Sequence, residues 1–372
     1  MTETIQTTET QNKVVANPLV YVGCYTQKGT TGGESVFVYH LDMSTGALVF
    51  DSAVSGGENA SYLAISPDNR LMVAVNETVT FDGQPGGGVA ALSIDPATGR
   101  LTLLNQQRSH GGLPCYASID AQGRVALVSN YLGGNVAIFP ILEDGKLGSA
   151  TDIVQHTGSS VHPGRQRSPF AHSIVIDPTN RFAIVSDLGI DKVLVYKIDY
   201  DNLKLILHSH ASVKPGAGPR HLTFHPSGRW AYLIHELDEH ITVFAYDAEA
   251  GSLKTLQTVP TLPVGYADEN TSADIHVSPS GRFVYGSNRG HDSITAFEID
   301  QQTGLLTFVD RHTSGGKTPR NFVIDPTGAF LLAANQDTGD IVSFRLDGTT
   351  GKMIDTGQVA KVYKPVCIKF LN

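Results

Sequence analysis

One hairpin pattern recurs six times and constrains the fold more than any other feature of the chain. It is an apolar strand, a turn close to Asp/Ser-Pro-x-Gly/Asn-Arg, and a second apolar strand, at 62–77, 116–131, 172–188, 221–237, 275–290 and 321–337. Turn formers set between β-branched and aromatic alternation mark β-hairpins. A second pattern follows, a strand ending in Asp-x-x-Thr-Gly-x-Leu or a variant of it, and it occurs seven times, as in VFVYHLDMSTGAL from Val36 and ITAFEIDQQTGLL from Ile294. Seven of the second against six of the first leaves one hairpin short, and the chain ends supply its halves. LVYVGCYT from Leu19 matches a second strand and KPVCIKFLN at the C-terminus matches a first one. The expected fold is therefore all-β: a seven-bladed β-propeller of four-stranded antiparallel blades, its closing blade shared by N- and C-terminal strands, which hides two sheet edges. Residues 18–372 are expected to form this single domain at about 51 residues per blade, close to known propeller repeats. A β-sandwich does not require a repeated unit.

Composition narrows the partners. The chain has 27 Lys plus Arg against 36 Asp plus Glu, a net charge of -9, opposite in sign to what phosphate backbones attract. Nucleic acid and anionic membrane are excluded on that ground. Residues 1–17, rich in Thr, Glu and Gln, lack the basic start and apolar run of a secretory signal and are expected to be a disordered tail. No stretch approaches the roughly 20 apolar residues of a membrane-spanning helix. Cys24, Cys115 and Cys367 form no metal-ligand spacing and no disulfide framework, so no metal and no cofactor are expected, and a reducing cytoplasm is the natural location.

In such a blade the first strand lines the central channel and the second runs antiparallel beside it. The start of one and the end of the other then meet at one rim. First strands begin with Tyr116, His172, Arg220 with His221, Asp274 with His276, and Arg320 with Asn321. Second strands end in Glu77, Tyr131, Asp187, His235 with Glu236, Asn288 with Arg289, and Gln336. A single Arg or His at a strand end is ordinarily a solvated or structural residue, but here several blades direct charged groups into one funnel, which focuses potential despite the net charge. Arg220, Arg289 and Arg320 are planar forks suited to a carboxylate or phosphate, and they point to a small anionic ligand. Glu236 among them reads equally as a base or as a structural counter-ion. Tyr116, His221, Asp274, His276, Arg320 and Asn321 are the expected substrate contacts. The loop at 157–169 carries His162, Arg165 and Arg167 and reads as a solvated insertion ahead of a cover or phosphate site. His208, His210 and His225 fall away from the rim.

The motifs RQRSPFAHS, DLGIDKV, PGAGPRHLTFHPSGR, HEL, ADIHVSPSGRFVYGSNRG and PRNFVIDPTG, in this order, resemble the lactonase family of seven-bladed propellers. That family includes the propeller-type 6-phosphogluconolactonases and the fungal carboxymuconate lactonizing enzymes. By motif position the resemblance implies a catalytic cluster of His172, Arg220, Glu236 and Arg289. Phe170 and Tyr116 stand where many members have histidine. The implied reaction is hydrolysis of a sugar lactone, foremost 6-phosphoglucono-1,5-lactone, with Glu236, or less favoured His172, as base and the arginines holding oxyanion and phosphate. The rival readings are a muconate cycloisomerase using the same rim and a non-enzymatic interaction platform. Against the platform, the chain has a single tryptophan, Trp230, and no Trp-Asp signature. A calcium-dependent six-bladed lactonase would need carboxylates crowded at the channel, where this rim offers mostly cations.

Overall fold

The computed structural model describes residues 17–26 and 33–371. The expected tail lies outside them except for Asn17. Among the described residues there is no helix, and the strands form seven four-stranded antiparallel sheets plus a two-stranded ribbon at Thr80–Phe81 and Gln84–Pro85. Innermost strands are Ala60–Ile65, Pro114–Ile119, Ala171–Ile176, Pro219–Phe224, Thr271–Val277, Pro319–Ile324 and Pro365–Phe370. Each packs against the next around a full circle. The seventh blade is the expected composite: Pro365–Phe370 pairs antiparallel with Leu19–Cys24, with Val22 opposite Ile368, and Val36–Leu41 and Leu48–Val54 complete it.

The two repeated turns do different work. At the first, an acidic side chain closes the turn by accepting backbone N–H groups. Asp177 Oδ1 takes those of Arg181 at 2.8 Å and Phe182 at 2.7 Å. Asp120 and Asp325 do the same in their blades, an Asx-type turn that explains the acid at this position. The second turn links blades. Gly304, at φ +75°, lies flat on the Trp230 indole of the preceding blade, where a Cβ would come within 2.5 Å of the ring, and its carbonyl accepts from Tyr232 Oη at 3.1 Å. Only glycine supplies both the conformation and the clearance. Tyr21 and Tyr285 make the equivalent bonds to Gly99 and Gly351.

The core lies between neighbouring blades. Ile184, Val195, Leu222, Leu233 and Phe244 are buried where the third and fourth blades meet. Burial of this kind stabilises at roughly 25 cal/mol per Å² of apolar surface, and it repeats around the ring, so the central channel need not contribute a core of its own. That leaves the channel free to hold polar groups.

Candidate active site

The inner strands share a defect at one end. Pairing with the second strand skips a residue between Ala60 and Tyr62, Pro114 and Tyr116, Ala171 and Ser173, Pro219 and His221, and Pro319 and Asn321, and two residues between Ser272 and Ile275. In the closing blade the skip falls at Val366. A β-bulge leaves its extra residue out of the ladder and turns its side chain away from the pleat direction. The extra residues include Cys115, His172, Arg220, Asp274 and Arg320, so the bulges present several of the expected site residues to the mouth of the channel.

Glu236 is the hub of that mouth. It follows the strand Trp230–His235, and its N–H donates to Gly218 O at 2.7 Å. Its Oε2 accepts from Arg220 Nε at 3.0 Å and lies 3.2 Å from Arg289 Nη2. Its Oε1 accepts from Arg165 Nη2, and His172 Nε2 is 3.6 Å from Oε2. Burial alone would raise the Glu236 pKa, but the Arg289, Arg220 and Arg165 charges outweigh it and hold the carboxyl well below the usual range. His172 is driven the other way. Burial, then the Arg220 charge, keep it well below an ordinary histidine and hence neutral. Burial also draws Arg289 down to about 9, so it stays protonated at neutral pH.

Beneath this layer a directed chain of hydrogen bonds orients Arg220. His221 Nδ1 donates to Asp274 Oδ1 at 2.7 Å, which leaves Nε2 to accept from Arg220 Nη1 at 3.2 Å. Burial and the Arg220 charge push His221 down to about 3 against the pull of Asp274, so it too is neutral. The other Asp274 oxygen accepts from His276 Nε2 at 2.9 Å, Phe322 N at 3.3 Å and Asn321 Nδ2. Asn321 Oδ1 in turn accepts from Ile368 N at 2.7 Å. Arg220 Nη1 also donates to Ala273 O.

The structure thus divides the expected substrate contacts. Arg320 is at the mouth, 3.6 Å from Glu77 Oε2 through Nη2, and its guanidinium makes no hydrogen bond to a side chain or main-chain group among the described residues. Asp274 and Asn321 are buried with their acceptors committed to the protein, and His221 has both ring nitrogens engaged. Tyr116 stacks on Tyr62 with centroids 4.0 Å apart and meets His221 edge-on, so its ring is packed against the support of Arg220. His276 binds Asp274 and packs edge-on against Phe322.

The 157–169 loop departs from the solvated reading. Its Arg165 donates to Glu236 and, at 3.1 Å, to Tyr131 Oη, so the loop reaches into the mouth. The loop is pinned by fully buried Gln166, whose Nε2 donates to Leu188 O at 2.8 Å, and by Asp187. Asp187 accepts from Phe170 N at 2.8 Å, Gly189 N at 2.9 Å and His156 Nδ1 at 2.6 Å. A pattern search keyed to strand ends misses Arg165 and His156, because neither sits on an inner strand; the arginine-rich RQR run was the available signal. His225 lies where expected, bonded to Gly281 O in the turns of the opposite end.

The arrangement can hold an anion on guanidinium forks, accept a proton on Glu236 or neutral His172, and stabilise developing negative charge on oxygen. Among the described residues no group of His, Cys, Asp and Glu is placed to hold a metal ion, and no helix is long and apolar enough to cross a membrane. The three cysteines are free and buried.

Similarity to known proteins runs the length of the ring. The chain is 40% identical to the 6-phosphogluconolactonase of Bacillus subtilis over 352 residues, which is 95% of this chain and 98% of that protein. It is 36% identical to the 6-phosphogluconolactonase of Formosa agariphila over 82% of this chain and 86% of that one. The solved structure of the periplasmic gluconolactonase of Pseudomonas aeruginosa superposes with a TM-score of 0.89 at 34% identity, covering 95% of this chain and 99% of that one. The lactonase, 7-bladed beta-propeller family matches residues 19–370. With the composite blade, the bulged inner strands and the charge cluster at one mouth, this match shows that the chain belongs to the lactonase family of seven-bladed β-propellers.

Proposed function

We propose that this protein is a lactonase that opens a sugar δ-lactone with water, 6-phosphoglucono-1,5-lactone before others, and so yields the free acid of the pentose phosphate route. The observation that carries the reading is the convergence on Glu236 of Arg165, Arg220, Arg289 and His172 from separate elements. Two curated relatives are 6-phosphogluconolactonases, which supports the phosphorylated substrate. Residues 18–372 act as one domain, and the three free thiols fit a reducing cytoplasm.

The chemistry follows from the groups available. Water oxygen bonds to the lactone carbonyl carbon while Glu236 takes a water proton. The oxyanion that forms is balanced by guanidinium N–H groups, with Arg320 and the uncommitted nitrogens of Arg220 and Arg289 as donors. Collapse breaks the bond from that carbon to the ring oxygen, which receives the proton back from Glu236, and the new acid ionises to solvent. His172, held neutral beside the same carboxylate, is the second group able to take the proton. His221, Asp274 and Asn321 serve as supports that fix Arg220 rather than as substrate contacts.

A positioned base typically contributes about 10²- to 10⁴-fold. Glu236→Gln is therefore expected to lower kcat by that range and His172→Gln by less, measured against spontaneous lactone opening. Carboxymuconate should give no spectral change with the enzyme. Full rates in Glu236→Gln would overturn the site assignment, and turnover of carboxymuconate would move the protein to the cycloisomerase branch.

A further inference from the structure

The guanidiniums around Glu236 are not equivalent, and the difference concerns where they spend their other N–H groups. Arg220 is tied to the main chain at Ala273 O as well as to His221. Arg289 donates to Thr271 O at 3.4 Å and Ser272 O at 3.0 Å. Arg165 has side-chain partners only, Glu236 and Tyr131. Its side chain is 36% exposed, against 2% for Arg220 and 13% for Arg289. Two arginines are therefore fixed in the wall, and one is free to redirect its fork.

Arg165 also faces space of the right size. It lines a cavity of about 710 Å³ at the mouth with Arg289 and His162, while Glu239, Asp268 and Glu269 stand on the lining as well. That volume suits a small ligand. An anion entering it is repelled by the acidic members and finds one fork without main-chain ties, because Arg289 is bonded to Thr271 O and Ser272 O whereas Arg165 is held by side chains alone. The loop itself need not open: Asp187 holds it before the arginine through His156 and after it through Phe170, and Gln166 ties down the next residue, so a rotation of the Arg165 side chain suffices.

We propose that Arg165 is a specificity-determining residue. It grips the anionic group that the substrate carries away from its lactone carbonyl, and in doing so releases Oε1 of Glu236, so that a substrate lacking that group leaves the base latched. The proposal rests on the lactonase reading above. Arg165 is the sole partner of Oε1 among the described residues, whereas Oε2 stays with Arg220 and Arg289 throughout. The exchange trades one charge-assisted pair for another, a fork on phosphate for a single bond to the carboxylate.

The test compares 6-phosphoglucono-1,5-lactone with glucono-1,5-lactone in wild type, Arg165→Met, Arg165→Lys and Glu236→Gln. Loss of a hydrogen bond to a charged group corresponds to roughly tenfold or more. Arg165→Met is expected to raise KM for the phosphorylated lactone by at least that factor while raising kcat for the unphosphorylated one, because the latch is gone. Arg165→Lys keeps the charge without the fork and should fall between, and it stands as the decisive variant if the methionine form fails to fold. Equal changes on both lactones, or a lower kcat on glucono-1,5-lactone, would overturn the proposal while leaving the lactonase reading intact so long as Glu236→Gln is inactive. A wild-type protein inactive on both lactones would remove the reading itself and the proposal with it.

Discussion

Asp274→Asn should disable the site from a distance, and the structure lets the effect be worked through atom by atom. Asp274 is 2% exposed and receives four donors: His221 Nδ1, His276 Nε2, Asn321 Nδ2 and Phe322 N. An asparagine replaces one acceptor oxygen by a donor, and either orientation sets donor against donor. With its NH₂ toward His221, the imidazole must shift its proton to Nε2, which then opposes Arg220 Nη1. With its NH₂ on the other side, it meets Phe322 N–H, which has no alternative form, and Asn321, whose oxygen is already committed to Ile368 N. One or two buried donors are left unsatisfied at about 1–3 kcal/mol each. In the first orientation the displacement reaches Arg220 and so Glu236, where a misplacement on the order of 1 Å can cost about 10²-fold in rate. Thermal melting and kcat/KM on 6-phosphoglucono-1,5-lactone measure the two effects. Asp325→Asn is the control: Asp325 is equally buried but closes a turn at the far end of its blade, so it should lower the melting temperature and leave kcat/KM unchanged. If Asp274→Asn loses stability but keeps wild-type kcat/KM, the hydrogen-bond chain does not orient Arg220 and the reasoning fails.

Acid should weaken the fold early. His221 is held down to about 3 and His172 well below its ordinary value, while in the unfolded chain both titrate near 6.5. Below that pH the unfolded state binds more protons, so stability falls as pH drops, by about 1.4 kcal/mol per unit for each histidine. The depressed Glu236 and Asp274 carboxyls stabilise above their unfolded values and lose that contribution only at lower pH. Urea midpoints at pH 7.5, 6 and 5 test this, and a flat midpoint across them would contradict it. Dialysis against EDTA should leave kcat unchanged; a loss restored by a divalent cation would sink the metal-free mechanism.

The ring was legible because its turns are chemically obligatory. Asp120, Asp177 and Asp325 must accept backbone N–H groups, and Gly304 must lie against Trp230, so both patterns recur at fixed spacing. His172, Arg220, Glu236 and Arg289 were legible as neighbours for the same reason, since strand ends fix the rim. What strand periodicity does not encode is the bulge. It decides which residue leaves the ladder, and it sets Asp274 among the buried bonds to His221 and Asn321, where its place at a strand start on the rim had suggested a substrate contact. Nor does periodicity say where a loop travels. Arg165 reaches the mouth because Gln166 and Asp187 steer the chain there, through contacts distant in sequence from the pattern that produced the blades.

The composite blade also dictates when, during biosynthesis, chemistry can begin. Ile368 N–H braces Asn321, Asn321 braces Asp274, and Tyr25 N–H donates to Lys364 O at 3.2 Å while its hydroxyl reaches Glu77 at 3.0 Å. The support beneath Arg220 is thus incomplete until residues 365–370 have left the ribosome and met a strand translated more than three hundred codons earlier. A nascent or prematurely terminated polypeptide would carry the side chains of the proposed site without the brace that reaches Arg220 from residue 368.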